Sequence, residues 1–167
     1  MTEASKTRKN LQEAFAGEAQ ANRTYLAFAK KAEQEGLLQV AKLFRAAADA
    51  ETVHAHAHLR TMGGINDTAE NLRTAIGGET HEFTSMYPRM IAEAEAEGEQ
   101  AALRNFKFAN AVEQEHAALY QKALDNLGRN EAVDYYVCQV CGHTHEGEPA
   151  GSCPVCNAAK SAFKKID

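Results

Sequence analysis

Two Glu-x-x-His pairs, Glu51/His54 and Glu113/His116, are the residues of this 167-residue sequence best placed to do chemistry. The carboxylate and the imidazole of each pair are three residues apart, so a helix presents both on one face. Each pair falls on the apolar stripe of a long predicted helix. Burying an unpaired charge there costs on the order of several kcal/mol, which a bound cation would offset. The two pairs therefore predict metal ligands.

Three further glutamates lie on the apolar stripes of the other two long helices: Glu18, Glu79 and Glu82. One glutamate from each of two helices, with Glu-x-x-His from each of the other two, is the pattern of a di-iron or di-manganese carboxylate site. Hard carboxylate oxygens and imidazole nitrogens suit iron, with manganese and zinc as competitors. A single such pair is more often a solvated helix face, but two pairs in register with acids on both other helices favour metal. We also expect metal removal to loosen the helical bundle.

All four cysteines lie in the last 33 residues, as two Cys-x-x-Cys motifs, Cys138/Cys141 and Cys153/Cys156. Four thiolates bind iron or zinc tetrahedrally, and a segment this short needs such a metal to fold. The spacing leaves a zinc ribbon and a one-iron redox centre open. A two-electron di-iron site needs an electron source, which favours iron. No secretory leader is recognised, so the cysteines indicate a metal site in a reducing cytoplasm rather than disulfides.

Apolar periodicity and glycine punctuation predict four long helices and one long connection. The predicted helices cover residues 5–35, 37–62, 78–97 and 99–127, and residues 65–77 form the connection. One long crossover among four helices is typical of ferritin-like topology rather than of a simple up-and-down bundle. The predicted fold class is therefore an all-α ferritin-like four-helix bundle at 1–134, followed by a small four-cysteine metal domain at 135–167.

Composition excludes several classes of partner. The net charge is -5, and no basic patch indicates nucleic acid. No apolar run approaches the length of a membrane span, so no membrane association is expected. No Gly-rich dinucleotide fingerprint is present, so NAD(P)H must act through a separate reductase.

These motifs resemble the rubrerythrin family across essentially the whole chain. The similarity rests on four helical motifs, Ala16-Gly-Glu18-Ala-Gln-Ala-Asn22, Glu51-x-x-His54, Gly78-Glu79-Thr-His-Glu82-Phe-x-x-Met-Tyr87-Pro88 and Glu113-x-x-His116. The tail, Tyr136-Val-Cys138-x-x-Cys141-Gly142 with Cys153-Pro-x-Cys156, is similar to rubredoxin. Position 143 is His, where the rubredoxin motif often carries Tyr.

The resemblance implies a non-haem peroxidase that reduces hydrogen peroxide in defence against oxidative stress, with electrons relayed through the rubredoxin-like iron. It implies six di-iron ligands: Glu18, Glu51, His54, Glu82, Glu113 and His116. Glu79 would enter the site on oxidation, and Tyr25 and Tyr87 would hydrogen-bond beside it, with Pro88 kinking the helix to re-aim Tyr87. It also implies a homodimer, in which one chain's four-cysteine centre lies near the other's di-iron site, and an external NAD(P)H-dependent reductase or rubredoxin-type donor.

Two other functions fit parts of the same pattern. In iron storage or detoxification, the di-iron site would only oxidise incoming iron, and the protein would assemble as a large cage rather than a dimer. A peroxide-sensing electron-transfer protein would turn over slowly and hold a stable partner. The attached four-cysteine domain favours the peroxidase over both.

Overall fold

The computed structural model describes residues 5–167, which form two compact units that divide between Asn66 and Asp67. The first unit is a helical hairpin. The second contains the remaining helices and the four-cysteine tail, defined here as residues 135–167.

The helices of the first unit are α1 (Lys6–Gln34) and α2 (Leu38–Thr61). The Ser5 side chain caps α1 by accepting a hydrogen bond from the Arg8 amide at 3.2 Å. Three buried alanines of α2, spaced seven residues apart, lie along the hairpin: Ala41, Ala48 and Ala55. Such small side chains allow the two helix backbones to approach closely. The axes of α1 and α2 therefore lie close together where the two helices carry their acidic residues.

The second unit begins with α3 (Thr68–His81), which overturns the predicted connection at 65–77. The Asp67 side chain accepts a hydrogen bond from the Glu70 amide at 2.9 Å and starts the helix there. The connection between α2 and α3 is thus short, residues 62–67, and the predicted third helix starts ten residues too late. The glycine pair Gly77-Gly78 places the predicted start too late, whereas the sequence Asp67-Thr-Ala-Glu70 contains the cap that starts the helix.

A π-helical segment, Glu82–Met86, joins α3 to α4 (Tyr87–Glu97). The Tyr87 amide reaches back to the Glu82 carbonyl, five residues earlier, and Pro88 follows directly. The expected Pro88 kink is therefore a wide turn with one extra residue. Gly98, at φ 75°, ends α4, and α5 (Gln100–Asp125) follows. Because α3, the π segment and α4 run on without a break, residues 5–167 contain four helical rods, as predicted.

The tail forms a small antiparallel sheet with β1 at its centre. The strands are β1 (Tyr135–Cys138), β2 (Thr144–Glu146) and β3 (Phe163–Ile166). Tyr136 pairs with His145 on one side and with Lys165 on the other. The sheet belongs to the same compact unit as α3–α5. Within residues 5–167, no helix is long and apolar enough to cross a membrane.

Candidate metal centres

The first cluster consists of Glu18 on α1 and of Glu51 and His54 on α2. One ligand atom from each lies within 4.8 Å of the others. His54 Nδ1 is 3.0 Å from Glu51 Oε2 and 4.0 Å from Glu18 Oε1. The Glu51 side chain is 19% exposed and the His54 side chain is 56% exposed. The hairpin therefore brings together three residues that the sequence predicted as ligands.

Like charges in the first cluster perturb its acids. A hydrogen bond from Glu51, followed by burial, raises the pKa of Glu18, while the nearby His54 and His58 lower it. Two carboxyl groups at such a short distance share one proton when no cation is present. A metal ion between them would replace that proton, so the donor set fits a cation.

Asn22 fixes the two helices beside the first cluster. Its Nδ2 donates to the Ala48 carbonyl at 2.7 Å and to Thr52 Oγ1 at 2.9 Å. Thr52 is adjacent to Glu51, so these two hydrogen bonds fix the position of α1 along α2 beside the candidate ligands of α2. Asn22 belongs to the first helical motif, but its sequence position alone predicts no such contact.

The second cluster consists of Glu79 on α3 and of Glu113 and His116 on α5, again with ligand atoms within 4.8 Å of one another. His116 Nδ1 is 2.8 Å from Glu113 Oε2. Burial, followed by the charge of Glu113, raises the pKa of Glu79. Both side chains of the Glu-x-x-His pair are mostly buried, at 17% and 26% exposed. This cluster has the same composition as the first, with two carboxylates and one imidazole.

Glu82 and Tyr87 lie at the two ends of the turn beside the second cluster. Burial raises the pKa of Tyr87, and the charges of Glu113, Glu82 and Glu79 raise it further. The phenol therefore faces the acids of the cluster, which the π turn makes possible. Glu79, rather than Glu82, supplies the carboxylate within the 4.8 Å group.

Tyr25 of the first unit packs in an aromatic group. Its ring centroid is 6.5 Å from that of Phe28 and 6.2 Å from that of Phe44. The contacts described for Tyr25 are thus packing within a partly exposed aromatic group. Its expected hydrogen bond beside the di-iron site stays a prediction.

The four cysteines of the tail are free thiols gathered around one point. Cys138 Sγ is 3.7 Å from Cys156 Sγ, and Cys141 Sγ is 3.5 Å from Cys153 Sγ. A tetrahedron with metal–sulfur bonds of about 2.3 Å has edges of about 3.8 Å, whereas a disulfide needs about 2.05 Å. The sulfur positions fit a single four-coordinate metal ion.

The two Cys-x-x-Cys turns have the same backbone geometry. The Gly142 amide donates to the Cys138 carbonyl and the Asn157 amide to the Cys153 carbonyl, both at 2.9 Å. Gly142 (φ 87°) and Asn157 (φ 60°) are both left-handed, a conformation that glycine and asparagine tolerate. Burial raises the pKa of Cys138, but backbone amides at 140 and 141 outweigh it and lower the pKa to about 7. These amides would stabilise a metal-bound thiolate.

The four-cysteine loop lies against α5 of its own chain. Thr144 Oγ1 is 2.9 Å from Nε2 of His116, and His143 Nδ1 hydrogen-bonds the Glu115 carboxylate. No motif in the sequence predicted a role for Thr144 or for Glu115. The two residues of each contact are 28 positions apart in the sequence, so neither helical nor strand periodicity predicts that they meet.

Comparisons with known proteins agree with this arrangement. The family model described as Rubrerythrin matches residues 9–124, and that described as Rubrerythrin, rubredoxin-like domain matches residues 136–164. Nigerythrin from Nitratidesulfovibrio vulgaris is 32% identical, over 97% of this chain and 87% of its own. Rubrerythrin from Porphyromonas gingivalis is 34% identical, over 97% and 90%. A structure of nigerythrin in its fully reduced, all-ferrous state is 31% identical, with a TM-score of 0.59 over 99% of this chain and 89% of that chain.

Proposed function

Because the chain belongs to the rubrerythrin family, we propose that it is a non-haem di-iron peroxidase that reduces hydrogen peroxide to water. The family assignment confirms the predicted fold class, a ferritin-like helical region with a small C-terminal rubredoxin-like domain. It also confirms the predicted cofactors, iron in a di-iron carboxylate site and in a four-cysteine site. The observation that carries the peroxidase proposal is the presence of both kinds of centre in one chain.

By the family resemblance, the ligands of the iron pair would be the carboxylates and imidazoles predicted from the sequence: Glu18, Glu51, His54, Glu79, Glu82, Glu113 and His116. When bound, the pair supplies two electrons, which with two protons convert one hydrogen peroxide into two waters. A separate iron ion would be bound by the four thiolates of the tail: Cys138, Cys141, Cys153 and Cys156. Glutamate oxygens, histidine nitrogens and cysteine sulfurs each suit iron in the site that contains them.

The Tyr87 hydroxyl lies within the electrostatic field of the acids of the second cluster. Its surroundings raise its pKa, so the phenol keeps its proton at neutral pH and can donate a hydrogen bond. An oxygen atom bound near Glu113 would lie close to this donor. We propose that Tyr87 orients peroxide in this way and that Tyr25 contributes mainly to packing.

The tail would deliver electrons from outside. The chain would receive them from an NAD(P)H-dependent reductase or a rubredoxin-type donor and would act as a homodimer. The four free thiols require a reducing compartment, which supports a cytoplasmic location.

An anaerobic titration of the iron-loaded, fully reduced protein with hydrogen peroxide tests the proposal. Visible absorption of both iron centres is followed as peroxide is added. We expect rapid oxidation of the carboxylate-bound pair near one peroxide per pair, followed by oxidation of the four-cysteine iron. The Cys156→Ser variant should lose the second phase and keep the first, whereas Ser152→Ala, an exposed change in the same loop, should keep both.

If the ferric-thiolate absorption never develops in the wild-type protein, the tail does not feed the pair. Iron storage or peroxide sensing would then replace the peroxidase. A large cage in light scattering would identify storage.

A further inference from the structure

The side chain of Asn110 on α5 has a buried oxygen with no hydrogen-bond partner. Within residues 5–167, two buried side-chain oxygens or nitrogens lack a partner, Asn110 Oδ1 and His143 Nε2. The His143 nitrogen belongs to the tail, whereas Asn110 is three residues before Glu113 of the second cluster. An unpaired buried acceptor costs free energy, so most such groups in native proteins are paired. The Asn110 oxygen is therefore free to accept a hydrogen bond from a bound molecule.

Two contacts of α5 with the rod formed by α3, the π segment and α4 show what lies opposite Asn110. Glu79 meets Glu113 in the second cluster, and the Tyr87 ring centroid is 6.2 Å from that of Phe106. The rod and α5 therefore run antiparallel, with one more residue between the two contacts on the rod than on α5. The π turn accounts for that extra residue. Asn110 thus lies opposite the start of the π turn, between the second cluster and the Tyr87 ring.

Helical geometry places Asn110 on the side of α5 that faces this region. Phe106, Asn110 and Glu113 are four and three residues apart, so they form one row along the helix surface. The next positions of the row in each direction, Leu103 and Ala117, are buried. Asn110 is therefore a neutral polar side chain in a packed row, directly beside a charged cluster.

Hydrogen peroxide has the hydrogen-bonding groups that this region can pair. It carries two hydrogens and two acceptor oxygens, whereas dioxygen carries no hydrogen. Asn110 Oδ1 can only accept a hydrogen bond, and the Tyr87 phenol, which keeps its proton at neutral pH, can donate one. A site with a buried group that pairs with a substrate hydroxyl discriminates against an analogue without that hydroxyl. Peroxide satisfies both side chains, and dioxygen leaves the Asn110 oxygen unpaired.

We propose that Asn110 Oδ1 accepts a hydrogen bond from a hydroperoxide bound at the second cluster and thereby selects peroxide over dioxygen. This inference rests on the proposed function and adds a substrate-binding residue to it. Tyr87 would donate to one oxygen of the bound molecule while Asn110 accepts the hydrogen that the molecule carries. The reduction that follows is the two-electron, two-proton reaction given above.

The variant Asn110→Leu keeps a similar shape and removes both polar atoms of the amide. Reduced, iron-loaded protein is mixed with hydrogen peroxide or with dioxygen, and oxidation of the carboxylate-bound pair is followed by stopped-flow absorption. We expect Asn110→Leu to react with peroxide about tenfold or more slowly than wild type, and with dioxygen within about twofold of the wild-type rate. Gln114→Leu, at an exposed position of α5, should leave both rates unchanged. An unchanged peroxide rate, or equal slowing with both oxidants, would overturn the inference.

The stability of the metal-free protein gives a readout that does not depend on turnover. Leucine removes an unpaired acceptor from a buried position, so Asn110→Leu should have a urea midpoint equal to or above that of wild type. If Asn110 served only to hold α5 against its neighbours, the midpoint would fall. A lower midpoint would show that the amide hydrogen-bonds within the protein itself and would refute the substrate-binding role.

Carbon-13 NMR of the Asn110 side-chain carbonyl reports the hydrogen bond directly. Zinc-loaded protein is labelled with ¹³C-asparagine, and the Asn110 resonance is identified by its loss in Asn110→Leu. We expect this resonance to shift and saturate as hydrogen peroxide is added, while that of the exposed Asn105 stays in place. No shift would contradict the inference. A shift in a protein that fails to reduce peroxide would refute the proposed function and support the binding role, so the two failures are distinguishable.

Discussion

Replacing Glu79 by glutamine should stabilise the metal-free protein and weaken the metal-loaded one. Glu79 and Glu113 present carboxylate oxygens to one small volume, together with His116. Without a cation the two negative charges repel each other, and the glutamine amide removes one charge while keeping the shape. With a metal bound, the same change removes a negatively charged donor.

The size of the effect follows from the geometry. Two unit charges 4.8 Å apart, the outer limit of the cluster, repel by about 0.9 kcal/mol in water and by about 3.5 kcal/mol at an effective dielectric constant of about 20. The Glu113 side chain is 17% exposed, so solvent screens only part of the repulsion, and relaxation of the two side chains relieves more of it. We expect Glu79→Gln to raise the free energy of unfolding of the metal-free protein by about 1 kcal/mol.

The effect should depend on pH with a definite sign. The raised pKa of Glu79 means that the folded chain binds this proton more tightly than the unfolded chain does. Wild-type stability therefore falls as pH rises from the unfolded pKa, near the ordinary value of 4.5, to the raised folded pKa. Glutamine has no such titration, so its advantage should grow across that window and stay constant above it.

Urea denaturation followed by circular dichroism measures these differences, with metal-free protein at about pH 4 and about pH 8. Glu97→Gln, an exposed acid at the end of α4, is the matched control and should change stability by less than about 0.5 kcal/mol. If Glu79→Gln destabilises the metal-free protein at pH 8, or gains equally at both pH values, the repulsion argument is wrong. Iron or zinc should stabilise the variant less than the wild type.

Three other substitutions test separate parts of the structure. Asn22→Ala should lower the free energy of unfolding by about 1–3 kcal/mol, because it removes two part-buried hydrogen bonds; urea denaturation checks this against the exposed change Gln20→Ala. Cys156→Ser should raise amide hydrogen exchange in β1–β3, measured by mass spectrometry with α1 as internal reference, since metal holds the tail together. Lys122→Ala should cost less than about 1 kcal/mol, and less again at high salt, because its ion pair with Glu146 is exposed.

The local parts of the two clusters could be predicted from the sequence. Glu51 and His54, or Glu113 and His116, are three residues apart on a helix, so their meeting depends only on helical geometry. The cysteine motifs are equally local, since each turn brings its own pair together. Glycine likewise marked the end of α4 at Gly98.

The parts that were missed depend on long-range contacts or on a cap. The Asp67 side chain caps the start of α3. The predicted start followed the glycine pair Gly77-Gly78 instead of this cap. The Thr144–His116 hydrogen bond joins a strand to a helix, and no spacing rule relates their positions. The choice of Glu79 over Glu82 in the second cluster depends on where the π turn begins, which Pro88 only suggested.

The π turn at Glu82–Met86 also sets the phase of the helix that follows it. An α-helix rotates by about 100° for each residue, and this turn contains one residue more than an α-helical turn. If the turn straightened into regular α-helix with no residue lost, everything after it would rotate by about 100° relative to α3, and Tyr87 would turn away from Phe106 of α5. Deleting Thr84, whose hydroxyl bonds the Thr80 carbonyl at 2.6 Å, would instead remove the extra residue and let regular helix form with both segments in phase. The turn thus absorbs one residue, and a one-residue deletion here should be less damaging than a one-residue deletion in the middle of α5.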